Sequence, residues 1–291
     1  MSEAAPQNFR GRVWRNFRRD RLAVACLALL AILAVLAILF FAFGRAEVHW
    51  PYDPNLPQLE AKLQSPRASH WLGTDNLGRD VLTRMLHGTY ISLTIGFVAV
   101  GVSLLIGVTV GAVAGYFGGW VDSVLMRMVD AIMCFPSFFL ILTVVAILGP
   151  NIWNVVLVIG LVSWTGTARL VRAEFLTLRE TQYVAAARAV GQKHGSIMFR
   201  HILPNAAAPI LVTAVLGIPD AILTEAGLSF LGFGVQPPQP TWGNIIADGK
   251  TYILDAWWLI LFPGIAILVT TLAFYLAGDA LREATDTRKG S

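Results

Sequence analysis

Charge is scarce in this sequence. Of 291 residues only 14% are Asp, Glu, Lys or Arg, against roughly a quarter in soluble globular domains. A chain so poor in ionic surface cannot cover a water-facing sphere, which excludes an ordinary soluble domain. Cysteine is nearly absent too. Cys26 and Cys134 sit far apart inside apolar runs, so nothing supports a disulfide or a thiolate metal site. Catalytic patterns are also missing: there is no Gly-x-Ser-x-Gly, no His-Glu-x-x-His and no Cys-x-x-Cys. His49, His70, His87, His194 and His201 are scattered without metal-ligand spacing. Gly249-Lys250-Thr251 ends like a phosphate-binding loop, but the glycine required five positions earlier is Asn244. The residues therefore read as a non-enzyme, with no cofactor, metal or nucleotide site of its own.

What the sequence has is apolar length. Hydrophobic residues make up 56% of the chain and its mean hydropathy is +0.63. About twenty apolar residues at 1.5 Å rise cross a ~30 Å hydrocarbon layer. Six runs qualify as spans: 22–43, about 89–116, about 121–148, 152 to about 167, about 206–226 and about 256–277. The second run carries Gly107, Gly111 and Gly115 in steps of four, the spacing that lets helix backbones approach closely in lipid. The third contains Pro136, which predicts a kink.

One long segment does not belong in lipid. Residues 169–204 hold six Lys/Arg and two Glu, and at about 3 kcal/mol for each charge at a bilayer centre the insertion cost is prohibitive. Six spans place both termini on one side. That side carries 16 of the 22 basic residues, so the positive-inside rule makes the termini and 169–204 cytoplasmic. The expected organisation is a basic tail at 1–21, a first helix at 22–43 and an extracytoplasmic loop at 44–88. A five-helix core at 89–285 and a tail at 286–291 follow. The arginines of the N-terminal tail end against a span, which favours a membrane-adjacent tail over nucleic-acid binding.

Within 169–204, Thr181 is placed to cap a short helix from Gln182. Tyr183, Ala186, Ala187 and Val190 share one small apolar face by their i, i+3, i+4, i+7 spacing, a face suited to a groove in another protein. Gly191 is a natural C-cap. A second amphipathic piece, 196–202, leads to Pro204, expected in the first turn of the fifth span. Of the ionisable residues near membrane edges, Arg127 and Asp130 are spaced to pair. Asp220 and Glu225 are expected near the outer end of span five, within reach of water. Asp130 and Glu225 are candidates for a gate or solute path.

These stretches resemble a known family. Ala-Ala-Arg-Ala-Val-Gly191 followed by Ile-Leu203-Pro204-Asn205 resembles the coupling-helix ("EAA") loop of permease subunits of bacterial ABC importers, with matches at Ala186, Ala187, Gly191, Leu203 and Pro204. The acidic position that names the motif is Ala185 here. Leu72-Gly-Thr-Asp-Asn-Leu-Gly-Arg-Asp80 is similar to a stretch of dipeptide and oligopeptide permeases, as is 221–238 with Trp242-Gly243. The likeness covers about 10–285 and is to the C-type permease, whose nickel-importing relatives share the outline. It implies an all-α membrane protein of six transmembrane helices, N-in/C-in, with the type I ABC importer permease fold. It also implies a homologous B-type permease partner, two ABC ATPase subunits that bind ATP and Mg, and an extracytoplasmic peptide-binding protein. On this resemblance Tyr183, Ala186, Ala187, Arg188, Val190, Gly191, Leu203 and Pro204 form the ATPase-coupling contact. Nickel or another small solute remains the alternative cargo. An ion-coupled secondary transporter is the alternative from another class, though it would need carboxylates near the membrane midplane.

Overall fold

The structure, a computed structural model, describes residues 20–45 and 50–285. Most of the basic tail (Arg10, Arg12, Arg15, Arg18 and Arg19) and the 286–291 tail lie outside these residues. Among the described residues the architecture is all-helical: α1 (Arg21–Arg45), α2 (Val81–Phe117), α3 (Gly119–Met133), α4 (Ser137–Leu148), α5 (Ile152–Leu178), α6 (Gln182–Ala189), α7 (Ala207–Phe230), α8 (Trp242–Gly249) and α9 (Trp258–Thr285). Helices α1, α2, α5, α7 and α9 are each long and apolar enough to cross a membrane.

The third expected span is not a kinked helix but a broken one. Helices α3 and α4 meet at an 80° bend. Pro136 supplies no N–H to a continuing helix and disfavours a helical conformation in the residue before it, and the helix stops at Met133 and restarts at Ser137. Counted as one span, the pair brings the total to six.

Helix α2 begins at Val81, eight residues before the apolar run begins. Asp80 caps it, its Oδ1 accepting from the Thr83 amide and hydroxyl at 2.8 Å each. Thr83 and Arg84 in that first turn are fully buried under the preceding loop. Protein rather than lipid surrounds this turn, so hydropathy could not mark it. Helix α7 starts three residues beyond Pro204, which sits in a separate exposed turn, 203–205.

The core is organised by α2 against α5. A Cβ on Gly107 would lie 2.7 Å from the Thr167 Cβ, one on Gly111 2.4 Å from the Ala168 carbonyl oxygen, and one on Gly115 2.6 Å from the Phe175 Cβ. The glycine stripe thus seats the two backbones in contact, where dispersion between helices replaces the hydrophobic drive that lipid cannot supply. At one end Ile95, Ala99, Val155 and Ile159 continue the seam; at the other Ala112, Val171 and Phe175 do. Helix α7 packs on the flank of α2, and α9 packs on α7, α1 and α8. Helix α1 lies at the periphery, exposing Ile32, Val35 and Ile38 as a lipid-facing surface expects.

Gly111→Ala is expected to lower stability in detergent by about 1–3 kcal/mol, because neither backbone can give way without opening the seam. Gly101→Ala, whose Cβ meets open space, should leave stability unchanged or slightly raised. Thermal unfolding followed by circular dichroism compares the pair.

Candidate functional site

The segment joining α5 to α7 has one face built into the core and another left bare. Thr181 occupies the N-cap of α6, but its hydroxyl donates to the Leu178 carbonyl at 2.5 Å rather than accepting from the helix. The side chain closes the preceding turn instead of capping. The helix ends in a Schellman pair: the Gly191 N–H donates to the Arg188 carbonyl at 2.9 Å, and the Gln192 N–H to the Ala187 carbonyl at 3.1 Å. Gly191 stands at φ +78 with nothing near its missing Cβ. Glycine is there for the backbone angle and not for want of space.

The four-residue apolar face expected on α6 divides in two. Ala187 turns inward with Val184, and together with Ile197, Met198, Ile202 and Ala206 they pack onto Ala112, Tyr116, Val171 and Phe175 of α2 and α5. Tyr183, Ala186 and Val190 face outward, Val190 being 83% exposed. Ala185 is also outside. Leu203 packs half-buried on the inner cluster, and Pro204 is exposed. Residues 197–202 wind as a π-helix, whose wider turn directs Ile197, Met198 and Ile202 into the same core.

Polar ties hold this assembly to the helix ends. The Tyr116 hydroxyl meets His194 Nδ1 at 2.9 Å, and the Arg188 guanidinium lies 5.4 Å over the Tyr116 ring. Arg179 Nη1 donates to the Gly115 carbonyl at 3.0 Å. Asp122 and Arg172 pair through two bonds of 2.5 and 2.6 Å. Asp130 pairs with Arg169 of α5 at 2.5 Å and not with Arg127. The bundle brings α3 and α5 together, which spacing within one helix could not reveal. Both members of that pair are about half exposed, so it contributes less than about 1 kcal/mol.

At the opposite end, Leu72–Asp80 folds into a buried clamp. Asp75 accepts from the Leu77 and Arg79 amides at 2.9 Å each and from Arg79 Nε at 2.7 Å. Asp80 also meets His70 Nδ1 at 2.9 Å, and the Trp258 indole donates to the Thr74 carbonyl at 3.1 Å. Arg84, 1% exposed, lies 3.5 Å from Asp75 and 3.8 Å from Asp248 of α8. Burial pushes the Asp248 carboxyl up from its ordinary value, against the opposing pull of Arg84 and Arg79. The folded state therefore holds this proton at pH values where the unfolded chain has lost it. Asp248 by itself makes stability fall as pH rises from the ordinary carboxyl range to its raised value.

Glu225 is not at a wet helix end. It is 1% exposed and accepts from Ser229 Oγ at 2.6 Å and Thr241 Oγ1 at 3.0 Å. Thr241 and Asn244 form the capping box of α8, and Asn244 also donates to the Gln239 and Val235 carbonyls at 2.8 and 3.2 Å. Glu225 thus ties α7 to the loop and helix that follow it. The Thr241-x-x-Asn244 spacing is a helix-start signal legible in the sequence. Arg84 and Asp248 carried no such signal, since their meeting joins distant parts of the chain. Asp220 lies within two residues of the middle of α7, deeper than expected, and its Oδ1 accepts from the Tyr275 hydroxyl at 2.5 Å.

Comparison with known proteins gives consistent matches. Residues 107–290 match the family described as binding-protein-dependent transport system inner membrane component. Residues 8–66 match the N-terminal transmembrane domain of oligopeptide transport permease C. The chain is 46% identical over 230 residues to the dipeptide transport system permease protein DppC of Alkalihalophilus pseudofirmus, covering 79% of this chain and 76% of that one. It is 42% identical over 276 residues to the glutathione transport system permease protein GsiD of Pectobacterium atrosepticum, covering 94% and 90%. Among solved structures, the inward-facing MetNI methionine ABC transporter superposes with a TM-score of 0.53 at 16% identity, over 70% of this chain and 97% of that one. At that identity the likeness concerns the fold.

Arg84→Met is expected to cost about 3–5 kcal/mol, because it leaves the buried Asp75 and the part-buried Asp248 with less cation. The deficit should shrink as pH is lowered and Asp248, already raised, takes up its proton. Thermal unfolding of both proteins across a pH series measures it.

Proposed function

The chain belongs to the family of binding-protein-dependent transport system inner membrane components, and on that premise we propose that it is the peptide-translocating C-type permease subunit of an ABC importer. It is a multi-pass membrane protein whose family works with ATPase and binding-protein partners. Relatives similar over most of its length are named for dipeptide and glutathione transport, which supports short peptides as cargo. The proposed assembly contains a homologous B-type permease, two ABC ATPase subunits that bind ATP and Mg, and an extracytoplasmic peptide-binding protein. No nucleotide or cofactor is assigned to this chain. The surplus of basic residues beside α6 supports placing both termini and α6 in the cytoplasm.

The observation that carries the reading is the two-faced α6. Its outer face, Tyr183, Ala186 and Val190 with Arg188 beside them, is free to sit in a groove of an ATPase subunit. Its inner face, Val184 and Ala187, is continuous with the α2–α5 seam. Closure of the ATPase pair would push on α6 and so move the ends of α2 and α5, because the packed core between them deforms as a unit. ATP and peptide then each bias the same two-state element from different sides. Shape rather than charge holds the contact at Ala185, where no carboxylate is available.

Gly191→Pro is expected to abolish uptake and peptide-stimulated ATP hydrolysis while membrane insertion continues, since proline cannot adopt φ +78. Val190→Asp, at a site that supports no core, should leave thermal stability unchanged and weaken retention of the ATPase subunits by about tenfold or more. Normal transport and ATPase retention in both variants would remove α6 as the docking element.

A further inference from the structure

A cavity of about 270 Å³, open on one side, lies among α2, α5 and α7. Its walls carry Ser103, Ser163, Thr167, Thr213, Asp220 and Thr224, set among apolar residues. Asp220 is the carboxyl group of this lining and stands near the centre of the 24-residue α7. An ionisable group at that depth is costly unless something meets it. Among the described residues, Asp220 receives the Tyr275 hydroxyl on Oδ1 and no Lys or Arg, and Oδ2 accepts nothing. Glu225, one and a half turns further along α7, has its oxygens occupied within the fold.

Two neighbouring hydroxyls are biased the same way. Thr213 Oγ1 donates to the Pro209 carbonyl at 3.0 Å, and Thr224 Oγ1 to the Asp220 carbonyl at 2.7 Å. With their protons committed to the helix, these oxygens offer lone pairs only. Ser103, Ser163 and Thr167 add hydroxyls that can turn either way, so the one charge in the lining is the Asp220 carboxylate, and its complement is a cation that is all donor, an ammonium group.

We propose that Asp220, with Tyr275 holding its Oδ1, forms a station for the α-ammonium group of a peptide in transit. The proposal rests on the peptide-permease reading above and deepens it. The amino terminus is the one cation that unmodified short peptides share whatever their side chains. A carboxylate at mid-depth can therefore receive them all without selecting among sequences. Oδ2 takes the ammonium, while the apolar wall from Ala99, Val100 and Leu216 tolerates varied side chains. Because Asp220 is solvent-accessible and not sealed in the core, the contact is a passing one.

The test uses the complete transporter in proteoliposomes with its binding protein. Asp220→Asn should reduce the maximal rate of dialanine uptake by about tenfold or more, the scale of one charge-assisted hydrogen bond. Asp220→Glu should recover part of it, and peptide affinity of the binding protein should not change. A second arm does not depend on transport. In a Cys134→Ser background, Thr224→Cys is labelled with a thiol reagent in the assembled complex. Dialanine should slow labelling, N-acetyl-dialanine should not, and Asp220→Asn should cancel the protection. Uptake by Asp220→Asn within twofold of the parent, or equal protection by both peptides, overturns the station. Loss of the B-type subunit from the purified Asp220→Asn complex also overturns it, by assigning Asp220 to the subunit contact. Protection by dialanine in a transporter that imports no peptide supports the ammonium site and removes the peptide-permease reading.

Discussion

The contact between α2 and α5 along Gly107, Gly111 and Gly115 is the constraint on which the other parts depend. In lipid, helices gain nothing by hiding apolar surface, so association has to come from close contact and from hydrogen bonds. The glycine stripe brings the α2 backbone against the Ala168 carbonyl and the Val171 and Phe175 side chains. The seam runs to Gly115 and Phe175 near the ends of both helices, and α6 is packed on those ends. Helix α6 is continuous with the membrane core. Here the continuity runs through Val184, Ala187 and Ile197 onto Val171 and Phe175.

The opposite end of the bundle is held by polar ties. Asp75, Arg79, Arg84 and Asp248 bring a loop, the start of α2 and α8 into one charge cluster. Glu225 joins α7 to the α8 capping box. Buried charges of this kind add little net stability over well-packed apolar groups, but they tolerate few alternative arrangements. The two ends are therefore built differently. One joins a small-residue seam to the Tyr116–His194, Arg179–Gly115 and Asp122–Arg172 ties, and the other is a set of directional bonds that fixes loop to helix.

Much of the site was legible in the sequence, and the misses have identifiable physical causes. The glycine at 191 declared a left-handed cap, and the backbone adopts one. Helical spacing put Tyr183, Ala186, Ala187 and Val190 on a common side, yet the core claimed Ala187. An amphipathic period cannot say whether its small face looks toward a partner or toward the rest of the chain. Asp130 found Arg169 instead of Arg127 because the α3–α5 contact is set by folding, not by spacing along one helix. Glu225 looked like a wet carboxylate because Ser229 and Thr241, which enclose it, are unremarkable letters until the chain folds back.

The sequence by itself determined the class of molecule: long apolar runs, a charged segment that lipid would reject, a helix-stop glycine and basic residues concentrated in a few of the segments between apolar runs. These are local or compositional properties, and lipid and water read them one segment at a time. Only the tertiary structure decided that Pro136 breaks a span, that α2 begins under a loop, and that Glu225 is a tie while Asp220 faces a cavity. Each of those outcomes depends on which atoms from distant segments come within bonding distance, and no single stretch of the chain carries that information.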